Sequence, residues 1–240
     1  MHTSPWPKTF EDFLKPYPVR SYSKGEIVVF QGEVPRHAYV IVDGIVKAYN
    51  LSLAGDEKPV SFYKDGDIFS TPWLFGKVPS STYYFEAFSK KVSVYCVNDR
   101  ELREFLKTDA NMQYAMLARE VELTLSMTIH INALQQSRAS DKLIYTLHFL
   151  AMNNGFKRTQ DELVINMNIT HQDLANLTGL TRETTAVELS KLKRIGAIDY
   201  GPHRPYVLFV QKLTSLFSDQ YVKELTTSLE DRPSPASILR

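Results

Sequence analysis

Residues 169–200, ITHQDLANLTGLTRETTAVELSKLKRIGAIDY, decide how this chain is read. Thr170 is a hydroxyl residue set before a helical pattern, and Asp173 three places on completes a capping-box-like start. Leu174 and Leu177 share a face, and small Ala175 lets a second helix approach. Gly179 breaks the pattern where a tight turn needs positive φ. Thr181 is placed as N-cap of a second helix carrying Arg182, Glu183, Thr184, Thr185 and Val187, with Leu189 and Leu192 towards its end. Two helices joined by a short glycine turn form a helix-turn-helix, whose second helix enters the major groove of DNA. The same pattern would suit a helix pair inside a core, so the residues that follow matter. Ile195-Gly196-Ala197-Ile198 ends the second helix. Residues 200–206 carry turn signals, and residues 206–210 read as a strand. A helix-turn-helix backed by a hairpin is a winged helix-turn-helix.

Working outward, residues 141–152 form an amphipathic helix that opens this domain, and residues 137–140 read as a hinge. Residues 109–136 lack Pro and Gly and predict one long helix. Leu123, Met127, Ile131 and Leu134 form one apolar stripe on it; Leu117, Val121, Leu125 and Thr128 form another. Two stripes mean two buried faces. One can pack on the neighbouring domain, and the second can pair with the same helix of another copy. Residues 19–98 read as β, with β-branched and aromatic runs at 27–30, 38–42, 45–49 and 92–97. Lys24-Gly25, Gln31-Gly32, Asp43-Gly44, Gly55-Asp56 and Gly66-Asp67 separate the runs, Asp43-Gly44 being the clearest hairpin signal. Short strands with regular glycine turns predict an antiparallel barrel or roll. The expected class is α+β: a β-roll over 1–108, a dimerisation helix over 109–136, a winged helix-turn-helix domain over 137–230 and a disordered tail over 231–240.

The 240 residues include 43% hydrophobic ones, enough for real cores, and the formal net charge is +1. DNA contact must therefore come from local placement of charge rather than from a strongly basic domain. Cys96, the single cysteine, excludes an intrachain disulfide and a cluster held by four cysteines. The N-terminus has no secretory pattern and no apolar run is long enough to span a bilayer, so a cytoplasmic protein is expected, with no membrane partner.

The order roll, long helix, hinge and winged helix-turn-helix resembles the cyclic-AMP receptor protein/FNR (Crp/Fnr) superfamily of bacterial transcription regulators. Residues 169–175 and 179–184 are very like the family's ITxQ-(D/E)-(I/L)-(A/G) and G-x-(S/T)-R-E-T segments, and Gly25, Gly32, Gly44 and Gly66-Asp67 match glycines of its roll. The resemblance implies a homodimer on a near-palindromic duplex site, with RNA polymerase as a further partner. Thr170 and Gln172 fall in the matched motif. Arg182 matches the arginine that opens the recognition helix and suits bidentate donation to guanine; Glu183 matches a glutamate that accepts from cytosine. The third family reader, usually arginine, falls on Val187, which can offer only apolar contact. Thr181, Thr184, Lys191, Lys193 and Arg204 are candidates for phosphate. Glu188 stands where such cores usually carry a branched apolar residue.

In the roll the resemblance thins. The family's ribose-binding and phosphate-binding pairs fall on Ser70-Thr71 and Ser81-Thr82, and its adenine-facing pair falls on Met127-Thr128. The phosphate-binding arginine is absent, so cyclic AMP is not the expected effector. One cysteine rules out the iron–sulfur cluster of FNR-type members. Haem is not expected either, because His37 and His130 lack paired metal spacing. Cys96 reads as a buried, inert thiol, with a redox role as the alternative. Phe62, Phe69, Trp73, Phe75, Tyr83, Tyr84, Phe85 and Phe88 crowd the pocket region, which implies a filled pocket or an apolar effector. No cofactor or metal is expected, and the effector is left open. Two rival classes are a cupin-like enzyme, which would need a His-x-His metal set that the roll lacks, and a module whose helix-turn-helix binds protein. No catalytic residues are identified.

Overall fold

The computed structural model describes residues 6–201 and 204–216; the tail expected over 231–240 lies outside them. The chain divides into two compact units, Met1–Glu122 and Leu123–Arg240.

In the first unit, α1 (Lys8–Leu14) precedes β1 (Val19–Ser23), β2 (Ile27–Val29), β3 (Ala38–Asp43), β4 (Val46–Leu51), β5 (Glu57–Tyr63) and β6 (Ile68–Phe69). The short α2 (Thr71–Leu74), β7 (Tyr84–Ala87), β8 (Lys91–Val97), α3 (Asp99–Thr108) and the start of α4 (Ala110–Gln135) follow. The strands form two antiparallel four-stranded sheets, ordered β1-β8-β3-β6 and β2-β7-β4-β5. Strand alternation sorts the side chains of β3 between two cores. Tyr39 and Ile41 point between the sheets, where they meet Val46, Ala48, Phe69, Phe85, Val94 and Cys96. Ala38 and Val40 point the other way, towards Phe10, Leu102, Leu106, Met112 and Met116 of the helices. The hairpin expected at Asp43-Gly44 does not form: β3 pairs with β8 and β6, and β4 with β5 and β7, so the turn carries the chain from one sheet to the other. Gly44 makes that turn with φ 98°, and a Cβ there would lie 2.5 Å from the Lys91 carbonyl oxygen, so no other residue fits.

The second unit holds the end of α4, then α5 (Ala139–Asn154), β9 (Gly155–Lys157), β10 (Glu162–Ile165), α6 (His171–Thr178), α7 (Arg182–Arg194), β11 (Ile198–Gly201), β12 (Arg204–Phe209) and α8 (Val210–Thr214). The expected hairpin, β11 and β12, is half of an antiparallel sheet ordered β11-β12-β10-β9. Helix α5 is buried throughout Leu143–Asn154.

Along α4, Met112, Met116, Leu123, Ser126, His130 and Ala133 are buried and Arg119 is nearly so. Their spacing alternates four and three, the period of a helix seam. Tyr114, Leu117, Val121 and Ile131 are exposed on the other side, with Leu117 at 63% and Val121 at 50%. Thr128 is exposed with them and Leu125 is half-buried. The stripe expected through Leu123, Met127, Ile131 and Leu134 is not one face. Leu123 is buried, Met127 half-buried, and Ile131 and Leu134 are exposed. Successive i+4 steps advance by about 40° around a helix, so this set drifts off the buried seam.

Candidate nucleic-acid interface

Local sequence chemistry builds the helix-turn-helix. Thr170 Oγ1 accepts from the Asp173 backbone N–H at 3.1 Å, and an Asp173 carboxylate oxygen accepts from the Thr170 N–H at 2.8 Å. This capping box starts α6 and satisfies two backbone donors. Leu174, Ala175 and Leu177 are buried beneath it. Gly179 ends the helix at φ 69°, and its N–H donates to the Ala175 carbonyl. A Cβ at Gly179 would touch nothing within 4 Å, so conformation alone demands glycine there. Thr181 caps α7 by accepting from the Thr184 N–H at 3.1 Å. Its own hydroxyl donates to Thr184 Oγ1 at 3.0 Å.

The buried side of α7 is Thr185, Leu189 and Leu192, a four-then-three spacing that fixes the rotation of the helix. That rotation presents Arg182, Glu183 and Val187 outward, Val187 at 54% exposure. Thr185 takes the innermost place, donating to the Thr181 carbonyl at 2.9 Å. Glu188 lies at the edge of this core, and its carboxylate pairs with Lys191 at 2.6 Å. The four-residue step from Thr185 to Leu189 leaves no core position at Glu188.

The candidate phosphate ligands fall into two groups. Lys191 is held by Glu188, and Lys193 by Asp199 at 2.8 Å. Lys193 also donates to the Tyr200 carbonyl at 2.5 Å. Arg182 and Arg204 stand exposed, Arg204 opening β12. Gln172, also exposed, donates to Asn176 at 2.9 Å. An aromatic ladder, not anticipated from sequence, joins helix to hairpin. His171 meets Tyr200 edge-on at 5.5 Å, and Tyr200 stacks on Tyr206 at 5.0 Å. Burial and then the Arg182 charge lower the His171 pKa, while burial pushes the Tyr206 phenol up. The signal for this ladder was the YGPHRPY segment itself, with tyrosines at both ends of the turn.

Thr170→Ala removes half of the capping box and costs the second unit about 1 kcal/mol. Amide exchange across α6 and α7 reads this loss, as faster exchange with no change in the first unit.

The positions matched to the family's effector pocket are only partly gathered. In the first unit Ser70 is buried with φ 61°, the single described non-glycine residue at positive φ. A side chain is normally disfavoured in that backbone conformation. Thr71 is half-buried and Thr82 exposed. Ser81 is buried and donates to the Tyr83 carbonyl at 2.8 Å. Met127 and Thr128 lie beyond the division, in the second unit, where Thr128 donates to the Thr124 carbonyl at 3.0 Å. Of the aromatic set, Phe69, Tyr83 and Phe85 pack with Tyr39 and Tyr63 between the sheets. Cys96 is buried there, which pushes its thiol pKa up.

An ion pair at this level was missed. Arg119 of α4 donates from Nε to Asp67 Oδ1 at 2.6 Å and from Nη2 to Oδ2 at 2.8 Å. Its remaining nitrogen, Nη1, donates to Glu122 at 2.9 Å. Burial alone would lower the Arg119 pKa; the bonds to Asp67, its charge and Glu122 outweigh that and raise it. Burial, and then the Asp67 charge, raise the pKa of the neighbouring Glu120. A lone arginine amid the apolar residues of the long helix, and the Gly66-Asp67 turn, were the available signals.

Among the described residues, no helix is long and apolar enough to cross a membrane. No group of three or more His, Cys, Asp or Glu side chains is arranged there to hold a metal ion.

Two family models match the chain: a cyclic nucleotide-binding domain over residues 19–109 and a Crp-like helix-turn-helix domain over residues 141–216. Among curated proteins, the chain is 24% identical over 194 residues to the "Cyclic AMP receptor protein" of Thermus thermophilus, covering 76% of this chain and 80% of that one. It is 22% identical over 203 residues to the "Global nitrogen regulator" of Synechococcus elongatus, covering 85% and 91%. The fold is shared with FixK2 of Bradyrhizobium japonicum, at TM-score 0.68 and 24% identity over 85% of this chain and 98% of that one. It is shared also with a CooA mutant from Carboxydothermus hydrogenoformans, at TM-score 0.70 and 21% identity over 90% and 96%. These relatives are regulators rather than enzymes. With one family model matching the β-roll and the other the helix-turn-helix domain, the chain belongs to the Crp/Fnr superfamily of DNA-binding transcription regulators.

Proposed function

We propose that this regulator binds a near-palindromic duplex site as a homodimer, through Arg182, Glu183 and Val187. The observation that carries the reading is the exposed face of α7, where these three side chains stand at the start of a helix fixed by its caps and buried leucines. Arg182 donates to guanine O6 and N7, Glu183 accepts from cytosine N4, and Val187 contacts a thymine methyl. An exposed glutamate would weaken purely electrostatic attraction to a polyanion, so its presence favours base reading. Thr181, Thr184, Lys191 and Arg204 hold the backbone at the rim, and Thr170 and Gln172 flank it.

The second copy pairs along α4. Tyr114, Leu117, Val121, Thr128 and Ile131 leave apolar area exposed at seam spacing beside half-buried Leu125, as two parallel helices require. Two copies related by a two-fold axis then place their recognition helices in successive major grooves, about 34 Å apart. Val121→Glu puts like charges across that axis. Sedimentation equilibrium is expected to show a dimer for the wild type and a monomer for V121E, and the variant loses the two-half-site duplex. A V121E dimer, or a monomeric wild type, would contradict the pairing.

The cyclic nucleotide suggested by the family model and by the name of one relative does not fit this roll. Ser70 and Ser81 bring no cation, and Ser81 is already bonded to backbone. Arg119 is already held by Asp67 and Glu122. Buried Asp67 and the partly buried Glu120 would repel a phosphate brought to this level. The effector, if the protein uses one, is uncharged or apolar, and DNA binding does not require cyclic AMP. Reading DNA places the protein in the cytoplasm, and RNA polymerase is its further partner.

A further inference from the structure

One hydrogen bond joins His130 of α4 to the last turn of α6, the first helix of the helix-turn-helix. His130 lies on the buried seam of α4 within the second unit, only 7% exposed. Its ring stacks on fully buried Phe149 of α5, with centroids 4.5 Å apart and planes 16° apart. Its Nε2 lies 3.1 Å from the backbone carbonyl oxygen of Leu177. A carbonyl can only accept, so Nε2 carries the hydrogen and donates. Leu177 belongs to the last turn of α6, whose carbonyls have no partner within the helix. Two residues later Gly179 turns the chain, and Thr181 starts α7. The bond therefore ties α4 to the pivot from which the recognition helix departs.

We infer that His130 is a positioning residue: it sets the angle of the recognition helix against α4, and so the register of the two recognition helices on DNA. This rests on the dimeric reading above. If α4 carries the two-fold axis, the spacing of the reading heads depends on how each is fixed to its own α4. Ring stacking sets the direction of the imidazole, and the single directional bond sets the distance. An apolar contact at the same place would bury area without fixing a register. Affinity for one half-site needs only an intact head. Affinity for two half-sites on one duplex needs both heads at the right separation, because the second contact is intramolecular and geometry-limited.

The test uses full-length protein and two duplexes, one with both half-sites and one with a scrambled second half-site. H130F keeps a ring on Phe149 and removes the donor. H130N keeps a donor too short to reach Leu177, and H130Q restores one of suitable reach. H130F and H130N are expected to weaken binding to the two-half-site duplex about tenfold and to leave single-half-site binding within about twofold. H130Q recovers most of the loss. Far-UV circular dichroism checks the fold of each variant, and H130N carries the test if H130F does not fold. Unchanged binding to the two-half-site duplex, or parallel loss on both duplexes, would overturn the inference. A wild type without preference for two half-sites would overturn the dimeric reading itself, and this inference with it.

Discussion

Arg119→Met lowers the unfolding free energy of the first unit by about 3–5 kcal/mol, the cost of leaving a buried carboxylate without its cation. The Asp67 side chain is 4% exposed and that of Arg119 is 15% exposed, so water screens the pair little. Asp67 keeps one other bond, from the Lys64 backbone N–H at 2.8 Å, which does not neutralise its charge. Arg119→Lys keeps the charge and loses the two-pronged fork, so it falls between wild type and methionine. Replacing both partners, as in D67L with R119M, removes the buried charges together and recovers much of the loss. Both tryptophans, Trp6 and Trp73, lie in the first unit, so denaturant titration followed by tryptophan fluorescence reads this unit alone. A change under about 1 kcal/mol would show that the pair contributes no more than a surface one does.

Arg182→Ala acts on the other unit and on DNA alone. It costs about 1–3 kcal/mol of specific binding, roughly five- to 150-fold, and relaxes preference at one base pair of each half-site. Its exposed position means that the fold does not depend on it. Arg204→Ala is the control. A phosphate contact weakens binding evenly across sequences and lowers the slope of log affinity against log salt by about one. Titrations of both variants on matched and singly mismatched duplexes separate the two roles. Even weakening by R182A across all sequences would mean that Arg182 holds phosphate and reads no base.

What was legible in the sequence was local. Thr170, Asp173, Gly179 and Thr181 act on backbone groups within four residues, so their spacing alone defines both helices and the turn. The turn at Asp43-Gly44 is legible for the same reason, but not that the strands it joins lie in different sheets, because their pairing partners are distant in sequence. β5 was harder to see, since Pro59 interrupts its β-rich run and its pairing with β4 shifts register beside Pro59. α3 went unread although Asn98 caps it, accepting from the N–H groups of Arg100 and Glu101. The Asp67–Arg119 pair joins residues 52 apart, and His130 meets a carbonyl 47 residues away. No periodicity reports such meetings, because each depends on how two elements pack. The drift of the stripe through Leu123, Met127, Ile131 and Leu134 has a related cause. Four-residue steps alone do not stay on a face that a three-four alternation follows. The two helices and their turn were therefore readable in advance, and the long-range contacts were not.

Two copies of this chain are proposed to read one two-fold DNA site through Arg182, Glu183 and Val187. Selection of bound duplexes from a random pool by the full-length protein, without added nucleotide, tests it most directly. The expected result is an enriched inverted repeat with half-site centres about one helical turn apart, each half-site containing a G·C pair that R182A no longer selects. No enriched sequence, or a single unrepeated element indifferent to R182A, would contradict it.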